Sequence, residues 1–306
     1  MIAFPNAKIN IGLNVVRKRE DGYHDIETVF YPVNLQDALE ISLMRPLDPS
    51  QLISRLEAGK LVQPDDALPF FKSRRKRDSL PCCQLEMSGL DSGFPAQDNL
   101  VVKAYMMLLE DFDLPSIDIK LYKHIPTGAG LGGGSSDCAS MLELLNRRFN
   151  LRLRESALER YAARLGSDCP FFITGQPSLA TGRGEILKPI SLSLAGYTIL
   201  LVKPDVHVST AQAYADVTPE QPEVSLLESV MRPVSEWKDC VKNDFEPSVF
   251  AKFPVLAEIK EKLYGLGAEY AAMTGSGSTV YGIFRKPLDN IQDLFKNMFI
   301  CQRELF

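Results

Sequence analysis

The chain has 306 residues, 45% of them hydrophobic and 24% charged, with 34 basic against 39 acidic residues and a formal net charge of -5. Such a profile belongs to an ordinary globular protein with one large or two smaller domains, and it excludes a collagen, a coiled coil and a wholly disordered chain. A protein that grips nucleic acid or an anionic membrane with its whole surface is normally basic, so neither is expected as a partner, although a local cationic site is compatible with this balance.

No apolar run approaches the ~20 residues that span a bilayer. The opening MIAFPNAKIN lacks the charged, apolar and cleavage regions of a signal peptide. The six cysteines (Cys82, Cys83, Cys138, Cys169, Cys240 and Cys301) form no CxxC pair and fit neither a zinc site nor a disulfide framework. A reducing cytoplasm is the expected setting.

In chain order, Ile9, Ile11, Leu13 and Val15 alternate along AKINIGLNVV, which is strand periodicity. A polar turn with Asp21-Gly22 follows, and then two more strand-like runs, ETVFYPV and DALEISL. Residues 45–97 differ from the rest: they are rich in proline and carry the basic run KSRRKR at 72–77. A short helix is predicted over Gln51 to Ala58, within an exposed, partly mobile excursion whose basic run reads as a solvated face. From Asp98 to Glu110 apolar residues recur at helical spacing, and IDIKLYKHIP then alternates as a strand. Helices are predicted over Ser136–Phe149 and Arg154–Leu165. The last third reads as a strand at Tyr197–Val202, helices near 209–216 and 254–264, strands at Ala268–Met273 and Thr279–Phe284, and a final helix and strand. The pattern is that of an α+β fold with helices over a sheet.

The strongest local signal is PTGAGLGGGSSD at 126–137, with five glycines in seven positions (Gly128, Gly130, Gly132, Gly133 and Gly134). Glycines let the backbone approach a ligand closely, and the two serines are expected as N-cap residues of the next helix. Free amides and a helix dipole together make an anion site. Gly128, Gly130 and Gly133 satisfy G-x-G-x-x-G, but a dinucleotide fold needs a strand after the helix, and here a second helix follows. No G-K-[S/T] closes a P-loop, and no H-R-D or D-F-G marks a protein kinase. A second glycine–serine turn, Thr274 to Thr279, lies between two strands. Two such loops far apart in sequence invite convergence on one polyphosphate.

PTGAGLGGGSSD resembles the phosphate loop of the GHMP kinases (galactokinase, homoserine kinase, mevalonate kinase, phosphomevalonate kinase), and TGSGST resembles their third motif. PNAKINIGLNVVRKREDGYHDIET, LGSDCPFF, GRGEIL and KPDVHVST resemble the branch of that family whose acceptor is a cytidine diphosphate-linked methylerythritol. The matches run in order from residue 5 to about 284, except across 45–97, which is longer and more basic than usual in the family. The resemblance implies a GHMP kinase fold: a domain over residues 1–180 like ribosomal protein S5 domain 2, and a ferredoxin-like domain over 181–306. It implies phosphoryl transfer from ATP, with Mg2+, to the 2-hydroxyl of that acceptor in the non-mevalonate route to isoprenoid precursors. The first motif begins a few residues after Met1, leaving no space for a transit peptide, so a bacterial-type cytoplasmic enzyme is expected.

The resemblance also assigns residues. Asp168 in LGSDCPFF is the expected base for the attacking hydroxyl, and Lys8 the cation that keeps Asp168 ionised; without the resemblance, Asp168 reads as a helix-end acid and Lys8 as a solvated strand residue. For ATP the resemblance implies Pro126, Thr127, Gly128, Ala129, Gly130, Leu131, Gly132, Gly133, Gly134, Ser135 and Ser136 at the phosphates, and Asn99, Leu100 and Lys123 near the adenine. Lys123 reads equally as a solvated strand residue. Asp137 is helix-start geometry. For the cytidine end it implies Tyr23, His24 and the ring of Tyr214, where the family commonly has Phe; Asn10 and Thr210 would meet polar groups of the acceptor. Gly275, Ser276 and Gly277 form the third motif. The metal ligands and the oligomeric state are left open. Two alternatives stand beside this reading: a GHMP kinase for homoserine or a mevalonate-type substrate, and a non-catalytic nucleotide- or nucleic-acid-binding module.

Overall fold

The computed structural model describes residues 1–45, 61–62, 81–91, 93 and 95–306. The helix expected over 51–58 and the basic run at 72–77 lie outside the described residues. The chain forms two compact units. Unit 1 comprises residues 1–6, 36–127 and 133–174; unit 2 comprises 7–35, 128–132 and 175–306. The break at 174–175 lies close to the boundary expected at 180, but the N-terminal hairpin clusters with the C-terminal part of the chain rather than with the residues that follow it.

Among the described residues, unit 1 is a five-stranded sheet covered by helices. Its strands are β1 (Ile2–Ala3), β4 (Ala38–Leu43), β7 (Ile117–Lys123), β6 (Cys83–Gly89) and β5 (Leu61–Val62), in that spatial order. The β6–β7 pair is parallel and the other pairs are antiparallel. Along β7 the residues alternate strictly, so Ile117, Ile119, Leu121 and Lys123 all face inward. Helix α1 (Leu100–Asp111) starts at Asn99, whose side chain accepts from the Val101 amide at 3.0 Å. It turns Val101, Ala104, Tyr105 and Leu108 into a core shared with α2 (Gly133–Arg148) and α3 (Glu155–Leu165). Each large apolar side chain buried there contributes roughly 1.5–3 kcal/mol, and Leu108→Ala would cost about 2–5 kcal/mol.

The sequence places the start of α2 at Ser136, whereas the helix begins at Gly133. Ser135 and Ser136 therefore sit in its first turn and are not its N-caps. Strand β6 escaped the sequence reading altogether, because its alternation lies inside the proline-rich stretch.

Unit 2 holds two four-stranded sheets. One runs β2 (Asn6–Lys18), β3 (His24–Gln36), β8 (Ser178–Thr181) and β9 (Ile186–Pro189); the other runs β11 (Tyr270–Met273), β12 (Val280–Phe284), β10 (Thr198–Lys203) and β13 (Phe299–Glu304), all antiparallel. Strand β10 is central and buried on both faces, which explains its unbroken apolar run ILLV after Thr198. Helices α5 (Thr210–Tyr214), α6 (Leu226–Val230), α7 (Trp237–Cys240), α8 (Glu246–Lys252) and α9 (Pro254–Gly265) precede β11, with α10 (Ile291–Leu294) before β13. Leu200, Val202, Phe245, Leu256, Leu263 and Val280 centre its core. No helix among the described residues is long and apolar enough to cross a membrane.

Candidate active site

In unit 2 the two glycine-rich segments meet. Thr274 donates its hydroxyl to the Gly130 carbonyl at 3.0 Å, and the Thr279 amide donates to the Ala129 carbonyl at 3.3 Å. Gly130 has φ of +77°, and a Cβ on it would lie 2.1 Å from the Thr274 carbonyl oxygen. Only glycine permits both that backbone angle and that approach.

Lys8 is buried against this junction. Its Nζ donates to Asn10 Oδ1 at 2.6 Å and to the Gly130 carbonyl at 3.2 Å, and lies 4.8 Å from the centre of the Phe30 ring. Asn10 is tied down on all sides: its Nδ2 donates to the Thr28 hydroxyl at 3.0 Å and its backbone amide to Thr274 Oγ1 at 3.0 Å. Asn243 Nδ2 donates to the Met273 and Gly275 carbonyls at 2.8 and 2.9 Å, which fixes the turn holding Gly275, Ser276 and Gly277. The sequence motifs single out these glycines but not Thr274, Thr28 or Asn243. Thr274 was within reach, since it opens TGSGST; Asn243 lies in no motif.

Also in unit 2, the rings of His24 and Tyr214 stack with centroids 4.7 Å apart and planes 14° from parallel. Phe245 meets Tyr214 edge-on at 4.7 Å. Burial, with the charge of Lys18, holds the His24 imidazole below its ordinary pKa. Tyr23 is exposed, with the Arg183 guanidinium 4.8 Å from its ring centre. Thr210 opens α5 on the surface, after the capping box of Ser209 and Gln212.

In unit 1 the glycine segment leads into the N-terminus of α2, with Gly134 exposed and Ser135 half-buried in its first turn. Asp168 lies half-buried in the turn between α3 and the short α4 (Phe171–Thr174). Its neighbour Cys169 is buried, and hydrogen bonds first from Cys138 and then from Ser135, against the effect of burial, hold its thiol below the usual pKa. One side chain next to Asp168 thus joins that turn to the first turns of α2.

Lys123 does not reach solvent. It is buried at the inward end of β7, donating to Asp37 Oδ2 and, at 2.7 Å, to Asp137 Oδ2. Burial alone would lower the pKa of its ammonium, but the charges of Asp137 and Asp37 raise it. Burial pushes the Asp137 carboxyl up to about 7, with Lys123 opposing and Asp37 reinforcing. Asn99 caps α1, and its Nδ2 reaches the Met87 sulfur at 3.5 Å. Leu100 touches the space a Cβ on Gly134 would fill, at 3.9 Å.

Glycine loops meeting under a buried lysine in unit 2, and in unit 1 a helix N-terminus and a half-buried carboxylate, are features that a kinase for small alcohols requires. The family comparisons agree. Residues 99–176 match the model for the GHMP kinases N terminal domain, and 226–301 match the GHMP kinases C terminal model. The chain belongs to the GHMP kinase family. It is 50% identical, over all 306 residues and all of the relative, to a protein of Bacteroides fragilis named 4-diphosphocytidyl-2-C-methyl-D-erythritol kinase. A Parabacteroides distasonis protein of the same name is 46% identical over the same full length. A solved 4-(cytidine 5'-diphospho)-2C-methyl-D-erythritol kinase superposes with a TM-score of 0.72 at 28% identity, covering 99% of this chain and 98% of that one. A mevalonate kinase structure, at TM-score 0.62 and 11% identity over 100% and 99%, shares the fold.

Proposed function

We propose that this chain transfers the γ-phosphoryl group of ATP to the 2-hydroxyl of 4-diphosphocytidyl-2-C-methyl-D-erythritol, in a cytoplasmic setting. The observation that carries the reading is full-length identity of 50% to a relative of that name. The site's geometry supports it. Phosphoryl transfer asks the protein mainly for positioning and charge, and glycine amides, a helix N-terminus and a buried lysine supply both.

The acceptor hydroxyl oxygen attacks the γ-phosphorus. A new O–P bond forms, the bond from that phosphorus to the β–γ bridging oxygen breaks, and ADP leaves with the oxygen. Asp168 takes the hydroxyl proton. Lys8, fixed through Asn10 and Gly130, brings positive charge to the transferring group. Residues 127–136 supply amides to the phosphates, with Pro126 shaping the entry to the loop, and Gly275, Ser276 and Gly277 close the loop junction. Asn99 and Leu100 face the adenine. His24 and Tyr214 stack too closely to admit a base between them, so the cytosine stacks on an outer ring face, with Tyr23 beside it. Asn10 acts through Lys8, whose ammonium its Oδ1 accepts, while Thr210, exposed at the surface, meets the acceptor.

Mg2+ would neutralise the phosphates during transfer. Among the described residues no group of three or more His, Cys, Asp or Glu is placed to hold a metal, and the buried carboxylates of Asp37 and Asp137 are engaged by Lys123. The residues therefore do not form a cage, and the ion fits as one carried by the nucleotide's own oxygens.

The test is a panel of alcohols with ATP, followed by ADP release. Turnover with the cytidine diphosphate-linked alcohol, and none with homoserine or mevalonate, is the expected result. Asp168→Asn should lower kcat by about 10²–10⁴ with unchanged melting temperature. Wild-type turnover in that variant removes Asp168 from the mechanism.

A further inference from the structure

Lys123, Asp37 and Asp137 form a buried charged cluster that the phosphoryl-transfer chemistry does not use. Asp37 follows the end of β3. Its Oδ1 accepts the amides of His124 at 2.5 Å and Ile125 at 2.8 Å, the two residues after β7, while its Oδ2 accepts Lys123 Nζ. Lys123 Nζ then reaches Asp137 Oδ2, one turn into α2. The far end of the glycine segment is as tightly seated: a Cβ on Gly133 would lie 2.9 Å from Ile125 Cγ2 and 3.3 Å from Lys123 Nζ. One three-residue cluster thus grips both the residues before the glycine segment and the helix after it.

Burying three ionisable groups is expensive, and a hydrophobic trio would serve stability as well or better. The exchange makes sense where the chain must be held at one spacing, because a clamped pair of ends removes the loop's freedom before the ligand arrives. We infer that Asp37, Lys123 and Asp137 are positioning residues for the phosphate loop: they fix the spacing between Ile125 and Gly133, and so aim the loop and helix amides at the nucleotide. Lys123 then serves the nucleotide through the loop rather than by touching it. The inference rests on the kinase reading for its ligand but not for its geometry.

The experiment combines steady-state kinetics with hydrogen exchange of the nucleotide-free protein. Asp137→Ala should raise KM for ATP by about tenfold while KM for the alcohol stays within about twofold. Asp137→Asn still accepts from Lys123 and should recover most of the loss. Asp37→Asn leaves one acceptor oxygen for three donors and should do more damage than either. In the wild type, the His124 and Ile125 amides should exchange among the slowest of unit 1, and both Asp37→Asn and Asp137→Ala should speed them by about tenfold or more. The clamp is overturned if those wild-type amides exchange like open-loop amides, if Asp137→Ala leaves KM for ATP unchanged, or if the loss falls equally on ATP and alcohol. The wild-type exchange decides the matter even if a variant fails to fold. Absence of wild-type turnover would instead sink the kinase reading, and the exchange data would still judge the clamp.

Discussion

Two lysines are buried almost equally, Lys8 at 3% exposure in unit 2 and Lys123 at 4% in unit 1, and different work is proposed for each. Lys123 sits between two carboxylates. The contacts of Lys8 within its own unit include an amide oxygen, a backbone carbonyl and the face of Phe30. A lysine clasped by two carboxylates of its own unit ties the segments that carry them together. Lys123 is thereby a fastener within unit 1, whereas the role proposed for Lys8 is to bring charge to the transferring group. Burial alone does not tell such roles apart.

That contrast breaks most visibly under matched substitutions. Lys123→Met leaves Asp37 and Asp137 facing each other with no cation between them, and should cost about 3–5 kcal/mol of stability in denaturant titration. Lys8→Met keeps the apolar stem of the side chain and should lose less stability than Lys123→Met. Its loss should appear in kcat instead, at about 10²–10³. If Lys8→Met proves the less stable protein, or Lys123→Met folds normally, the division between fastener and working charge fails.

The sequence went some way toward both sites. The alternation of IDIKLYK already puts Lys123 on the same face as Ile117, Ile119 and Leu121, which points inward. Residue type argued for solvent, and its carboxylate partners were hidden: Asp37 is 86 positions away, at the head of the strand-like run DALEISL, where nothing marks it as a partner. The glycine segments were legible because close backbone approach demands glycine, and their meeting at Gly130 and Thr274 follows the convergence expected of two such loops. The start of α2 was not, since Gly133 and Gly134 carry no apolar periodicity. Strand β6 shows the same limit from the other side. Cys83, Leu85 and Met87 alternate, but the parallel pairing with β7 that gives them a place is a long-range fact.

The loop junction itself offers a smaller test. Gly130→Ala would set a methyl 2.1 Å from the Thr274 carbonyl oxygen at a positive φ, so the two glycine segments must part. A loss of about 1–3 kcal/mol is expected, together with weaker restraint on Lys8, whose ammonium donates to the Gly130 carbonyl. Gly22→Ala, also at positive φ but with open space around it, is the control for backbone strain alone. Equal losses at the two positions would mean that the close approach to Thr274 contributes nothing.

The smallest effect is carried by pH. Burial, opposed by Lys123 and reinforced by Asp37, raises the Asp137 carboxyl to about 7, whereas in the unfolded chain it titrates near about 4. Between those values the folded chain keeps a proton that the unfolded chain has released, so this group's contribution to stability falls as pH rises from about 4 through about 7 and then levels. The Lys123 ammonium, held above its ordinary range, stays charged throughout that window. Asp137→Asn has no proton to lose, so denaturant midpoints should decline less steeply for the variant than for the wild type between about pH 5 and 8. Parallel profiles would mean that Asp137 is ionised in the folded chain at all these pH values.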